Sequence, residues 1–185
     1  MPRPSRLCNR IIASLDYFSV RRVENSGTQV EIAPEVRLMA PTERALKRLL
    51  LVEDDPGDVM LARECLTCMD EPIHLDVVED GVAALAFLRQ EPGYLNSMRP
   101  DLVIMDLNLP RRDGRMVLKE MKEDDHLRSI PVVVLTTSKS DEDVRAAYQL
   151  GGNCYIAKPS GLLEYESVMR KLGDFWLNTV RLPET

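Results

Sequence analysis

Four apolar runs along the chain each stop at a polar side chain. Leu49-Leu50-Leu51-Val52 stops at Glu53-Asp54, Leu102-Val103-Ile104-Met105 at Asp106, and Val132-Val133-Val134-Leu135 at Thr136. The mixed run Asn153-Cys154-Tyr155-Ile156-Ala157 stops at Lys158. The first three are continuous rather than alternating, as strands of a parallel sheet covered on both faces require. A weaker run, Ile73–Val78, interleaves polar residues and predicts an edge strand.

Between these runs the apolar spacing changes to three and four. Val59, Ala62, Leu66 and Met69 share one helical face, as do Val82, Leu85 and Leu88, and then Val117, Leu118 and Met121. Ser140 with Asp143 predicts a capping box, and Gly151 predicts the end of that helix. Leu162, Tyr165, Met169, Leu172 and Trp176 predict one long final helix. Strands alternating with helices predict an α/β fold, a doubly wound five-stranded parallel sheet with right-handed crossovers. Ligands of such sheets sit beyond the carboxyl ends of the strands, where the strand order reverses. The polar residues that end the runs fall there. Residues 1–46 carry neither period and are punctuated by Pro2, Pro4, Pro34 and Pro41. The expected division is therefore an N-terminal extension over 1–46, disordered or an over-called start, and one domain over 47–185. Met39, just before the first strand, is the expected true start.

Charge changes this picture little. The net charge is −6, and residues 1–46, with seven Arg and five acidic residues, carry +2, which leaves −8 for the rest. That balance argues against nucleic acid and anionic membranes as partners, because both reward an excess of Lys and Arg. Four cysteines (Cys8, Cys65, Cys68, Cys154) at irregular spacing do not make a disulfide scaffold, so a cytoplasmic location is expected. No run approaches the about 18 apolar residues of a membrane helix. Asp16 interrupts the apolar stretch after the first arginines, so no targeting signal is read there.

The chemistry lies at the strand ends. Carboxylates gathered there repel unless a cation offsets them. Mg²⁺ suits such a site, because it takes oxygen ligands and keeps waters. Asp106 is the candidate nucleophile, since an aspartate can form an acyl phosphate. Lys158 supplies a fixed positive charge for a phosphoryl group, and the Thr136 hydroxyl can donate a hydrogen bond to one once it arrives.

In this arrangement the chain resembles the response-regulator receiver domain of two-component signalling, over roughly Lys47 to Leu182. The resemblance rests on Glu53-Asp54 closing the first strand, Asp106 52 positions after Asp54, Thr136 30 further on, and Lys158-Pro159 22 beyond that. It implies a flavodoxin-like strand order 2-1-3-4-5. It implies Asp106 as phospho-acceptor, Asp54 and Asp106 as direct Mg²⁺ ligands, Glu53 acting through a metal-bound water, and the backbone carbonyl of Asn108 completing the set. Thr136 and Tyr155 become the switch pair, and Lys158 bridges the phosphoryl group and Asp106. A sensor histidine kinase is the implied phosphodonor. The segment Asp106-Leu107-Asn108-Leu109-Pro110-Arg111-Arg112-Asp113-Gly114, the pair Thr136-Thr137 and the ending Phe175-Trp176-Leu177 are most similar to free-standing regulators paired with bacterial phytochrome kinases. One departure is Thr137, where the family favours a very small residue, and it leaves the lifetime of the phosphorylated form open. Asp55 is expected at the rim.

The 27 residues after Lys158 have room for a last helix and tail, so output is expected through protein contacts rather than an attached domain. The chain is not expected to be an enzyme beyond assisting its own phosphorylation and dephosphorylation. Two rivals stand beside this reading: the same fold as an interaction module without phosphorylation, and an independent phosphohydrolase or nucleotide-binding protein. Neither a Gly-x-Gly-x-x-Gly fingerprint nor a Walker loop is present for the latter. Cys65-Leu66-Thr67-Cys68 lacks a second pair or a nearby His for zinc, so Cys65 is expected as a buried small hydrophobe. His74 and His126 are expected at the surface or edge, and Asp141-Glu142-Asp143 as helix-start charge. Phe175-Trp176 fits either a cover for the core or a contact with a second copy or another partner.

Overall fold

The computed structural model describes residues 46–67, 69 and 72–183. The expectations about residues 1–45, Met39 among them, and about Cys8 and Cys68 lie outside the described residues. Five strands, β1 (Lys47–Val52), β2 (Ile73–Val78), β3 (Leu102–Met105), β4 (Val132–Thr136) and β5 (Cys154–Ala157), form one parallel sheet in the order β2-β1-β3-β4-β5. This is the expected topology.

Successive side chains of a strand point to opposite faces, and helices cover both. Leu50, Val52, Val103, Met105 and Val132 pack with Ala84, Leu85 and Phe87 of α2 (Gly81–Leu88) and Val117, Leu118 and Met121 of α3 (Gly114–Glu123). Leu49, Leu51, Leu102, Ile104, Val133 and Leu135 pack with Ala62 and Leu66 of α1 (Pro56–Thr67) and Tyr165, Met169 and Leu172 of α5 (Leu162–Gly173). Ala147 of α4 (Asp141–Gln149) meets Leu107 and Val134. Coverage on both sides is why these strands read as unbroken apolar runs.

Register sets the strand ends at matching levels. Val52 pairs with Met105, and Met105 with Val134. The Asp106 amide then donates to the Val52 carbonyl at 3.1 Å, so Glu53 and Asp106 leave the sheet side by side. Thr136 pairs with Ala157, and the Lys158 amide donates to the Thr136 carbonyl at 2.7 Å. The strand order reverses between β1 and β3, which opens the crevice where Asp106 emerges.

Several helix expectations need correction. Leu85 and Leu88 of α2 are buried as expected, but Val82 is exposed, and Ala84 and Phe87 are buried beside them. Asp80 caps that helix by accepting from the amides of Val82 and Ala83, which fixes Val82 in the first turn, toward solvent. Met69 lies beyond the end of α1. Leu162 is exposed, and the final helix is not one piece: α5 ends at Gly173 and a π-helical stretch, Asp174–Thr179, carries Trp176. Ser140 does cap α4 through the Glu142 amide at 3.2 Å, but Asp143 does not complete the box and turns to Arg115 and Ser138 instead. Gly151, at φ +92°, ends α4 in the left-handed conformation that favours glycine.

Gly114 begins α3 directly beneath β3. A Cβ there would strike the carbonyl oxygen of Asp106 and stand 2.8 Å from the Leu107 Cα. Gly114→Ala should lower stability by about 1–3 kcal/mol in urea unfolding, since backbone has to move. A variant as stable as the wild type would contradict this close approach.

Candidate functional site

Lys158 leaves the end of β5 and extends its ammonium across the end of β4 into the crevice. Its Nζ donates to Glu53 Oε2 at 2.6 Å, to Asp106 Oδ2 at 2.7 Å and to Asp58 Oδ2 at 2.7 Å. Glu53, Asp106 and Lys158 are all buried. The other Asp106 oxygen, Oδ1, accepts from the Asn108 amide at 3.0 Å. Thr136 is fully buried, and its hydroxyl accepts from Asn108 Nδ2 at 3.4 Å.

These contacts set the charges. Burial alone would raise the Asp106 carboxyl, yet hydrogen bonds from Lys158 and the Asn108 amide, with the influence of the Thr136 hydroxyl, outweigh it and hold the group below its ordinary value. Glu53 stands above its ordinary value, because burial outweighs the help it receives from Lys158 and the Asp55 amide. Burial would lower the Lys158 ammonium, but hydrogen bonds to Asp106, Asp58 and Glu53 push it well up. The nucleophile candidate is therefore ionised at neutral pH, and the cation beside it stays charged.

The remaining expected residues are placed less tightly. Asp54 is exposed at the end of β1, outside the set that meets Lys158. Asn108 is exposed. Tyr155 is half-buried beside Leu107, Val134 and Ala147, and its hydroxyl donates to the Ser138 carbonyl at 3.0 Å. Thr137 is exposed. Asp55 is also exposed and starts α1, with its Oδ1 accepting from the Asp58 amide at 2.9 Å. Asp58 itself was missed by sequence reasoning. The available signal was its position in the first turn of a helix opened by Asp55-Pro56, which predicts helix-end charge rather than a lysine partner.

A second missed cluster lies on the far side of Thr136. Ser138 Oγ donates to Asp143 Oδ2 at 2.5 Å, and Arg115 joins Asp143 at 2.5 Å to Asp113 at 2.8 Å. Asp143 is held below the usual carboxylate range by Ser138 and then by Arg115. Elsewhere, Cys65 is half-buried against the α5 side of the core, His74 and His126 are exposed, and Trp176 packs on the core while Phe175 is exposed beside it.

Among the described residues, no three His, Cys, Asp or Glu side chains already form a cation cage. The donors at the crevice are nevertheless all oxygen, with Glu53 and Asp106 inside and Asp54 at the solvent edge. Such a set suits a hard divalent ion that keeps waters among its ligands. No helix among the described residues is long and apolar enough to cross a membrane.

Comparison with known proteins gives consistent matches. Residues 49–169 match the response regulator receiver domain. The response regulator Rcp1 of Synechocystis sp. (strain ATCC 27184 / PCC 6803 / Kazusa) is 47% identical over 137 residues, covering 74% of this chain and 93% of Rcp1. The crystal structure of the phosphorylated cyanobacterial phytochrome response regulator RcpA superposes with a TM-score of 0.74 at 45% identity, covering 76% of this chain and all of RcpA. The Mn²⁺-bound form of Rcp1 superposes with a TM-score of 0.73 at 46% identity, covering 75% of this chain and 99% of that one.

Removing the shared cation tests the electrostatics. Lys158→Met leaves Glu53 and Asp106 without a counter-charge and should cost about 2 kcal/mol at neutral pH, below the cost for a fully enclosed pair because Asp58 opens to solvent. Without Lys158 both buried carboxyls rise above their unfolded values, so the folded variant takes up protons first on acidification. Its deficit against wild type should therefore shrink as pH falls and be smallest below about pH 4. A deficit that is constant or grows on acidification, in urea titrations across pH, contradicts this.

Proposed function

Because this chain belongs to the response-regulator receiver-domain family, we propose that Asp106 is the residue through which it is phosphorylated. The protein is a two-component response regulator carrying one receiver domain. It is a signalling protein rather than a conventional enzyme.

One observation carries the assignment: the Asp106 carboxylate is buried and held at one oxygen by Lys158 and at the other by the Asn108 amide. In the proposed step an Asp106 oxygen attacks the phosphorus of a phosphohistidine on a sensor kinase. The new P–O bond forms as the P–N bond breaks, and the departing imidazole nitrogen keeps the electron pair and takes up a proton. Lys158 holds the acyl phosphate once formed, and Thr136 turns its hydroxyl to a phosphoryl oxygen. Tyr155 follows, and the surface around β4, α4 and β5 changes. The chain itself then assists hydrolysis of the acyl phosphate.

A divalent cation, Mg²⁺ in the cell, would offset the charge of the incoming phosphoryl oxygens when bound. Asp54, Asp106 and the Asn108 carbonyl are its proposed direct ligands, and Glu53 acts through a bound water. The Mn²⁺-bound form of the similar Rcp1 supports a divalent ion in such a site. A phytochrome-type kinase as donor is supported by likeness to the phytochrome response regulator RcpA.

With acetyl phosphate and Mg²⁺, intact mass should show gain of one phosphoryl group in the wild type and none in Asp106→Asn. Thr136→Ala should still gain it, while the amide NMR shifts of α4 that accompany phosphorylation in the wild type are lost. Normal labelling of Asp106→Asn would rule this acceptor out.

A further inference from the structure

The Lys158 ammonium has three N–H bonds, and three carboxylates take them. Glu53 Oε2 stands at 2.6 Å, and Asp58 Oδ2 and Asp106 Oδ2 each stand at 2.7 Å. No donor is left for an anion arriving at Asp106, so one carboxylate has to give way. The three are not equivalent. The side chains of Glu53 and Asp106 are 3% and 6% exposed, whereas that of Asp58 is 28% exposed. Freeing Glu53 would strand a buried charge. Asp58 can exchange its partner for water at small cost, as surface ion pairs do.

The position of Asp58 makes its contact with Lys158 a choice among partners. It occupies the first turn of α1, where an acidic side chain ordinarily serves the unpaired amides and the helix dipole. Asp55 Oδ1 already accepts from the Asp58 amide, and the Asp58 carboxylate turns to the far side of the crevice, 100 residues along the chain. Its oxygen and that of Asp106 contact the same nitrogen, so the two charges are separated by at most twice the 2.7 Å contact. Like charges that close repel.

We infer that Asp58 is a positioning residue that competes with the phosphoryl group for Lys158. In the resting protein it holds the third N–H of the ammonium. On phosphorylation it releases that N–H to a phosphoryl oxygen. Both its occupation of the donor and its charge weaken anion binding at Asp106, which biases the protein toward the unphosphorylated form. This rests on Asp106 being the acceptor.

The test uses the full chain with Mg²⁺ and beryllofluoride, a non-transferable stand-in for the phosphoryl group. Affinity is measured by calorimetry for wild type, Asp58→Asn and Asp58→Ala, with unfolding midpoints taken alongside. Asn keeps the volume of the side chain and removes its charge. Both variants should bind beryllofluoride about three- to tenfold more tightly than the wild type. Equal or weaker binding by the folded variants overturns the inference, and is the outcome if Asp58 only supports the helix start or ligates the cation. If only one variant folds, its affinity decides. If neither folds, Asp58 belongs to the scaffold and the inference fails. A wild type that does not bind beryllofluoride, like Asp106→Asn, instead removes the acceptor assignment and this inference with it.

Discussion

A single ammonium draws together parts of the chain that lie 52, 100 and 105 residues from it: the end of β3, the first turn of α1 and the end of β1. Burial would drive the carboxyls of Glu53 and Asp106 toward their neutral forms, and their mutual repulsion would drive them further. Lys158, together with Thr136 and the Asn108 amide, reverses this for Asp106, and Lys158 only moderates it for Glu53. An ionised acceptor inside a largely buried crevice is thus a property of the triple contact, not of the aspartate alone. The arrangement also strains toward exchange, because the same donors that steady the resting carboxylates are those an incoming anion needs.

The sheet makes that contact possible. Its central strands are covered on both faces, so their backbones are rigid supports whose ends stand at fixed levels. β4 lies between the acceptor strand and the lysine strand, and its last residue, Thr136, closes the gap. Beyond Thr136 the contacts continue without a break. Ser138 donates its amide to the Thr136 hydroxyl at 3.5 Å, accepts from Tyr155 at its carbonyl, and donates its hydroxyl to Asp143 in α4. Arg115 fastens Asp143 to the start of α3. A change at Asp106 therefore meets a continuous line of polar contacts leading to the α4 surface.

Much of this was legible in the residues. Leu49 to Val52, Leu102 to Met105 and Val132 to Leu135 announced strands buried on both faces, and Asp106, Thr136 and Lys158 announced themselves by ending such runs. Edge strand β2 was legible from its interleaved His74 and Asp76. Helix faces were read less well. Val82 fits the three-and-four spacing of Leu85 and Leu88, but it is exposed while Gly81 and Ala84 of the same first turn are buried. Leu162, the first residue of α5, is also exposed. Ser140 and Asp143 have capping-box spacing, yet a charged partner, Arg115, wins Asp143 from the neutral amide.

Apolar periodicity sufficed for the alternation of strands and helices and for the polar residues at the strand ends, because burial imposes a period along each element that survives without knowledge of its neighbours. Tertiary structure alone decided which acids meet Lys158. Glu53, Asp54, Asp55 and Asp58 are all carboxylates within six positions, and nothing in their order marks Glu53 and Asp58 as the partners while Asp54 and Asp55 face solvent. That selection depends on the turn from β1 into α1 and on the reach of a side chain arriving from β5. Periodicity assigns a residue to a face, whereas an ion pair between distant segments is fixed by distance in space.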